Sequence, residues 1–237
     1  MTDALTTLAD RNEGRQSLGR HSAMLASLVF LLAALPLSHA VVGGSTRFPL
    51  LLAVVLLAAV FVNSQRRWIF AVTLVIGSGS VFGLGYAAYA ESESVRIGSE
   101  FLGLGLLGLT TLVMFNSLLR AERVSRDTVI GGICVYLLIG LCFALSYILM
   151  VDLNPGVLIE GGEPLVRSPD DPSAAPTTLL YFSFATLTTL GYGDVSPVGE
   201  VARVFAVAEA IIGQLYLAVF VARLVALYVV SSQDNSH

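Results

Sequence analysis

Residues 186–197 read TLTTLGYGDVSP and combine residue types that can bind a cation. Two glycines flank a tyrosine, two threonines precede them and an aspartate follows; we call residues 189–194 the glycine segment. Because glycine adopts positive φ freely, alternating glycines allow successive backbone carbonyls to point the same way. A row of such carbonyls, with a threonine hydroxyl at one end, can replace the water shell of a cation. One chain supplies only one wall, so a closed site requires several copies around an axis.

The composition places this segment in a membrane protein. Hydrophobic residues make up 55% of the 237 residues and charged residues only 13%, whereas soluble domains carry about 25% charged residues. Since a spanning helix needs roughly 20 residues, the chain has room for six or seven passes. The net charge of -4 excludes a general nucleic-acid-binding protein. Cys134 and Cys142 are too far apart on one helix to form a disulfide, and no metal-ligand spacing or cofactor motif is present.

Apolar segments predict six spanning helices and one short helix that does not cross. The long segments cover residues 22–42, 48–62, 68–90, 99–119, 128–151 and 199–230. A polar, proline-rich stretch at 152–176 precedes a short apolar piece at 177–188. Twelve residues span only about 18 Å, against a hydrocarbon core of about 30 Å. We therefore expect the short piece to enter the membrane and return as a re-entrant loop.

The arginines predict which side of the membrane each loop occupies. Eight fall on one side of a six-pass arrangement: Arg11, Arg15, Arg20, Arg66, Arg67, Arg120, Arg123 and Arg126. Only four fall on the other: Arg47, Arg96, Arg167 and Arg203. Positive loops are cytoplasmic, so both termini are expected in the cytoplasm. An alternative reading of the first segment is a signal peptide cleaved after the small residues near Ser38 to Ala40, which continuing apolarity to residue 42 disfavours.

The motif T-x-G-Y-G-D at residues 189–194 resembles the selectivity-filter signature of potassium channels. The similarity extends from residue 127 to the end of the chain: an outer helix at 128–151, a pore helix at 177–188, the glycine segment, Pro197, and an inner helix with Gly213 as its hinge. The resemblance implies an all-α membrane protein with six transmembrane helices, a re-entrant pore helix and filter loop, and a tetrameric pore in the cell membrane. Its partners would be three further copies, the bilayer and the permeant potassium ion, with no cofactor.

The resemblance also implies roles for individual residues. Dehydrated potassium would be bound in the filter by Thr189, Leu190, Gly191 and Tyr192, with Gly193 permitting the final turn. The residues expected to support the filter are Thr188, Tyr181, Phe182, Asp194 and Glu209. Asp194 would lie at the outer mouth, and Tyr192 would pack on Tyr181 and Phe182. The chain departs from several bacterial channels at Ala185, where those channels carry a glutamate that supports the aspartate.

The last apolar segment contains several polar residues, among them Glu209, Gln214 and Arg223. Glu209 is expected to brace the pore helix through Thr186 or Ser183, or to be a protonated carboxyl without a role. Gln214, with Leu217 and Val221, is expected to line the cavity below the filter; the alternative for Gln214 is a hydrogen bond between helices. Arg223 is expected to extend toward the inner membrane surface rather than to form a gate.

The first four segments do not predict a voltage sensor. Arg120, Arg123 and Arg126 have the every-third spacing of one, yet residues 101–119 before them carry no charge. We interpret them as cytoplasmic anchors and expect weak voltage dependence. The glycines of the third and fourth segments suggest close helix packing: Gly77, Gly79, Gly83, Gly85, Gly103, Gly105 and Gly108.

The predicted organisation has four parts: a cytoplasmic segment at 1–21, a four-helix accessory domain at 22–126, a pore domain at 127–231 and a short cytoplasmic tail at 232–237. Because so few residues follow the pore, no ligand-sensing domain is expected there. The predicted function is potassium-selective conduction, without enzymatic activity. One alternative is a weakly selective cation channel. Another is an intramembrane aspartyl protease with the motif G-x-G-D, in which Asp152 would be the second carboxylate beside Asp194.

Overall fold

The structure is a computed structural model that describes residues 22, 24–34, 47–62, 67–90, 92–121, 125–168 and 174–234. Within these ranges the chain is mostly helical, with three short strands. The helices are α1 (Met24–Ala34), α2 (Arg47–Val62), α3 (Arg67–Ala90), α4 (Glu93–Leu119), α5 (Arg126–Leu153), α6 (Ala174–Leu187) and α7 (Glu200–Asp234). The strands are β1 (Leu158–Glu160), β2 (Glu163–Pro164) and β3 (Val195–Pro197). The predicted segment at 1–21 and the alternative cleavage site near residue 40 lie outside the described residues.

Four of the described helices, α3, α4, α5 and α7, are long and apolar enough to cross a membrane, so the protein is a multi-pass membrane protein. The described apolar parts of α1 and α2 are shorter, at 10–17 residues each. α7 has 35 residues and is about 50 Å long, which exceeds the roughly 30 Å of the hydrocarbon core. It therefore extends beyond the apolar layer on at least one side.

α4 begins at Glu93, six residues before the start predicted from apolarity. Its first turns carry Glu93, Arg96 and Glu100, and the first two of these charged residues lie outside the predicted segment. Arg96 forms salt bridges with both Glu93 and Glu100 on the same helix face. Pairing reduces the cost of placing these charges near the membrane, and the helix therefore extends past the apolar boundary.

A small antiparallel sheet shows that the segment between α5 and α7 is re-entrant. Its strand order is β2-β1-β3, with Leu158 opposite Pro197 and Glu160 opposite Val195. Because β1 follows α5 and β3 precedes α7, this pairing returns the chain to the end of the bundle at which α5 stopped. α6 has 14 residues and reaches only about 21 Å, so it cannot span the core. We call this end of the bundle the sheet end.

Only some of the glycines in α3 and α4 lie at close helix contacts. A methyl group on Gly77 would meet Val60 at 2.8 Å, one on Gly83 would meet the Ser99 hydroxyl, and one on Gly103 would meet Ser80 at 3.2 Å. Gly79 has ordinary contact distance to Leu102. Within the described chain, Gly85, Gly105 and Gly108 have open space around them, so the packing interpretation is wrong there.

Candidate functional site

The backbone of the glycine segment alternates in handedness. Thr189 has φ of 60°, Gly191 of 55° and Gly193 of 81°, whereas Leu190 and Tyr192 between them lie at negative φ. Thr189 is the non-glycine residue with positive φ among the described residues, an uncommon conformation for a β-branched side chain. Alternation between left- and right-handed residues turns successive peptide planes so that their carbonyls can face one side. The sequence predicted this geometry from the two glycines and not from Thr189.

The C-terminal end of α6 holds the start of the glycine segment. The amides of Leu190 and Gly191 both donate to the carbonyl of Ala185, at 2.8 and 3.2 Å, and the amide of Thr189 donates to Thr186 at 3.0 Å. The Thr188 hydroxyl donates back to the Phe184 carbonyl at 2.7 Å. The last carbonyls of a helix have no intrahelical partners, so these bonds satisfy them and fix the segment to the helix. A displacement of α6 must therefore displace the glycine segment as well.

Asp194 is attached to α6 and to the sheet. The Tyr181 hydroxyl donates to its carboxylate at 3.1 Å, and the amide of Gly161 donates to its backbone carbonyl at 3.2 Å. Tyr181 was expected to pack against Tyr192; it donates this hydrogen bond to Asp194, and its packing against Tyr192 stays a prediction. The Tyr192 ring is 72% exposed in a single chain. The whole run from 188 to 194 is exposed in this way.

Two glycines permit α6 to approach its neighbours closely. A methyl group on Gly140 of α5 would meet the Phe184 ring at 2.8 Å, and one on Gly213 of α7 would overlap the Leu187 carbonyl oxygen. A Cβ at either position would require a neighbour to move: the Phe184 ring at Gly140, and the backbone of α6 at Gly213. Gly213, predicted as a hinge, therefore has a packing role against the last residue of α6, and α7 continues as a helix through it. Its function as a hinge stays a prediction.

Glu209 lies fully buried between α5, α6 and α7. The Tyr147 hydroxyl is 2.8 Å from one carboxyl oxygen and the Ser183 hydroxyl is 2.5 Å from the other. The contact with Ser183 is one of the two that the sequence suggested, whereas Tyr147 was missed. Phe182 of α6 packs edge-on against the Tyr147 ring, with centroids 5.0 Å apart. Its side chain therefore lies on the same side of α6 as Glu209.

At the other end of the bundle, Arg223 joins α7 to the end of α4. Its guanidinium donates to the carbonyls of Leu119 and Ala121, at 2.5 and 2.9 Å. A cation at a helix C-terminus is favourable because the helix dipole is negative there.

The residues expected to line a cavity are all exposed on α7 in the single chain: Gln214, Leu217 and Val221.

Four charged residues form a network at the sheet end that the sequence did not reveal. Arg167, in the loop after β2, bonds Asp152 of α5 and Glu100 of α4 at 3.0 Å each. Arg96 also pairs with Asp152. Both carboxylates are only 3% exposed. Asp152 forms salt bridges with two guanidinium groups, so it does not face Asp194 as a catalytic carboxylate. The position of Asp152, a charged residue at the end of an apolar segment, was the signal that could have indicated an ion-pair partner.

A pore-loop ion channel is defined by a short helix between two spanning helices, followed by a segment with alternating φ from which the chain returns to the end where it entered. Residues 135–230 match the family described as Ion channel, which covers most of α5 and all of α6 and the glycine segment. The chain is also similar to Protein LctB of Bacillus caldotenax, 34% identical over 124 residues, and to Protein LctB of Geobacillus stearothermophilus, 34% identical over 126 residues. Each match covers 51% of this chain and 87% of the relative.

The chain therefore belongs to the ion channel family, and it is not an enzyme. This excludes the aspartyl protease alternative. Pore-loop channels assemble as oligomers, in keeping with a glycine segment that forms only one wall of a pore. The family match begins at Val135, so it does not include α1 to α4.

Proposed function

We propose that the protein is a potassium-selective channel that conducts K⁺ passively through a homotetrameric pore in the cell membrane. The observation that carries this proposal is the alternation of positive φ at Thr189, Gly191 and Gly193 within the motif T-x-G-Y-G-D. This conformation lets the carbonyls of residues 189–192 and the Thr189 hydroxyl form successive rings of oxygen around an axis. Such rings replace the hydration shell of K⁺. The glycine segment is then the selectivity filter, and Asp194 lies at its outer mouth.

Exposure within the single chain supports assembly around the filter. The filter side chains Leu190 and Tyr192 are 54% and 72% exposed, although they belong to a segment that dips into the membrane. Non-helical backbone at membrane depth is tolerated only against protein or water. Three further copies supply that environment, with water in the central cavity. Gln214, Leu217 and Val221 then line the cavity below the filter, and six helices with both termini in the cytoplasm complete the topology.

The accessory helices are connected to the pore at both of its ends. At the sheet end, Glu100 of α4 pairs with Arg167 of the loop before α6. At the opposite end, Arg223 of α7 bonds the last carbonyls of α4. α4 also carries no charge between residues 101 and 119 that would respond to the membrane potential. We infer that the accessory domain supports the pore mechanically and gives it little voltage dependence.

Reversal potentials test the proposed function. Purified protein is placed in a planar bilayer with K⁺ on one side and Na⁺ on the other. The current is expected to reverse at a potential far from zero, with the sign expected when K⁺ is the permeant ion. The physical reason is that a ring of carbonyls compensates the dehydration of K⁺ better than that of Na⁺. A reversal potential near zero would identify a weakly selective cation channel and contradict the proposal.

The acidic residues beside the filter are expected to raise conductance in dilute salt. Residues 153–176 carry Glu160, Glu163, Asp170 and Asp171 against one arginine, four minus one, for a net charge of -3 per chain. In the sheet, Glu160 lies opposite Val195, which immediately follows the filter, and opposite Glu163 of the neighbouring strand β2. Both side chains are exposed. Arg167 is bound in the ion-pair network, so it does not neutralise them.

The double variant Glu160→Gln, Glu163→Gln should therefore lower single-channel K⁺ conductance at about 0.01 M salt and change it little at 1 M, because the Debye length falls from about 30 Å to about 3 Å. Glu93→Gln is the matched control: it removes an exposed carboxylate of α4, which belongs to the accessory domain. Equal losses of conductance at both salt concentrations would indicate a structural role for the two glutamates instead.

A further inference from the structure

The hydrogen bonds of Ser183 determine the protonation of Glu209. The Ser183 oxygen is 2.7 Å from the Gly140 carbonyl oxygen and 2.5 Å from a carboxyl oxygen of Glu209. A hydroxyl has one proton to donate, and a carbonyl can only accept. If Ser183 donates to Gly140, the proton in the second bond must come from Glu209. The two short distances are satisfied together only when Glu209 is a neutral carboxylic acid.

The neutral acid completes a chain of hydrogen bonds through three helices. Glu209 of α7 donates to Ser183 of α6, which donates to Gly140 of α5. Tyr147 of α5 donates to the other carboxyl oxygen. Every polar side-chain atom in this series of hydrogen bonds then has a partner, as buried polar groups require.

A charged carboxylate at this position would have no compensating cation. Glu209 is 0% exposed, and none of the ion pairs among the described residues includes it. The titratable groups that face it are Tyr147 and Tyr136 of α5, and the group of α6 that contacts it is Ser183. Burying an unpaired charge is costly, so the surroundings favour the protonated form.

We propose that protonated Glu209 is a positioning residue that holds the selectivity filter, and that loss of its proton at alkaline pH lowers K⁺ conduction. This rests on the proposed function. Once the proton passes to bulk hydroxide, Ser183 must turn from Gly140 to the carboxylate, and the bond between α5 and α6 is broken. Ser183 lies two residues before Ala185, whose carbonyl holds the amides of Leu190 and Gly191. The change therefore reaches the filter through α6.

Glu209→Gln separates the proton from the hydrogen bonds. The glutamine amide donates to Ser183 and its carbonyl accepts from Tyr147, so the chain is retained without a titratable group. We expect wild-type K⁺ current to fall reversibly from neutral to strongly alkaline pH, by about three- to tenfold, the change in an equilibrium that one net hydrogen bond produces. Glu209→Gln should match wild type at neutral pH and lose this dependence, whereas Ser183→Ala should show the reduced current at every pH.

Two results would overturn the proposal. An alkaline decline that persists in Glu209→Gln would place the titrating group elsewhere, for example at Tyr147 or Tyr136. A neutral-pH current in Glu209→Gln as low as in Ser183→Ala would show that the carboxylate is the working form. Equal thermal midpoints of the variants establish that each has folded.

Infrared spectroscopy tests the protonation without any current. The difference spectrum between wild type and Glu209→Gln at neutral pH should contain the carbonyl stretch of a protonated carboxylic acid, and this band should disappear at alkaline pH. Its absence at neutral pH contradicts the proposal whether or not the protein selects potassium. Conversely, a channel that fails to discriminate K⁺ from Na⁺ contradicts the proposed function and leaves the band unaffected.

Discussion

Replacing Gly191 by alanine should abolish selectivity for K⁺ over Na⁺ or stop conduction. Gly191 has φ of 55°, and a methyl group there would have open space around it, so its effect is conformational rather than a clash within the chain. The left-handed conformation costs a residue with Cβ roughly 1–2 kcal/mol, and this cost recurs in every subunit. Rotating the peptide relieves the strain and removes a carbonyl from the ring. Reversal potentials measure the outcome.

Gly85→Ala is the control for this variant. It adds the same methyl group in α3, again with open space around it, but on a helix rather than at positive φ. Its selectivity should equal that of wild type. Native mass spectrometry should find both variants at four times the chain mass of 25.1 kDa. A Gly191→Ala tetramer with wild-type selectivity would refute the filter assignment, and with it the proposed function.

Replacing Gly213 by alanine should destabilise the pore and impair the filter together. The added methyl group would overlap the Leu187 carbonyl oxygen and lie 3.2 Å from the carbonyl carbon. Because these are backbone atoms, no rotamer change can relieve the overlap, and α7 must move away from α6. Overpacking typically costs about 1–3 kcal/mol. We expect a lower thermal midpoint and a reduced K⁺ current at all voltages.

The same experiment distinguishes a packing role from a hinge. A hinge glycine replaced by alanine would change the open probability while the thermal midpoint and the selectivity of open channels stayed as in wild type. Gly108→Ala in α4, where nothing lies within 4 Å, provides the matched control for stability. A Gly213→Ala protein as stable as Gly108→Ala, with altered opening only, would contradict the packing role and favour the hinge.

The sequence predicted most helices because apolar length is a local property. The boundaries of α5 and α6 differ from the predicted ones by one to three residues. The larger error at α4 arose because Glu93 and Arg96, in its first turn, are charged, and Asp152, a partner of Arg96, is distant in sequence. Charge pairing between segments has no local pattern, so apolarity alone placed the start of the helix six residues too late. The three-stranded sheet was missed for a similar reason, since its strands have only two or three residues each.

The sequence by itself determined the class of protein and the position of the glycine segment. Composition is sufficient for the first, because few soluble proteins carry so little charge. Glycine spacing is sufficient for the second, because freedom at positive φ belongs to the residue and requires no neighbour. The structure added Thr189, whose positive φ depends on the hydrogen bonds at the end of α6.

Only the tertiary structure decided which side chains meet behind that segment. Apolar residues cover every face of α5, so no stripe indicates which face packs inward. In lipid, small residues and polar contacts orient the helices instead. Gly140 and Gly213 bring α6 against its neighbours, and that approach places Ser183 within reach of Glu209. The rotation of each helix about its own axis depends on all three helices at once, and one segment read alone does not contain it.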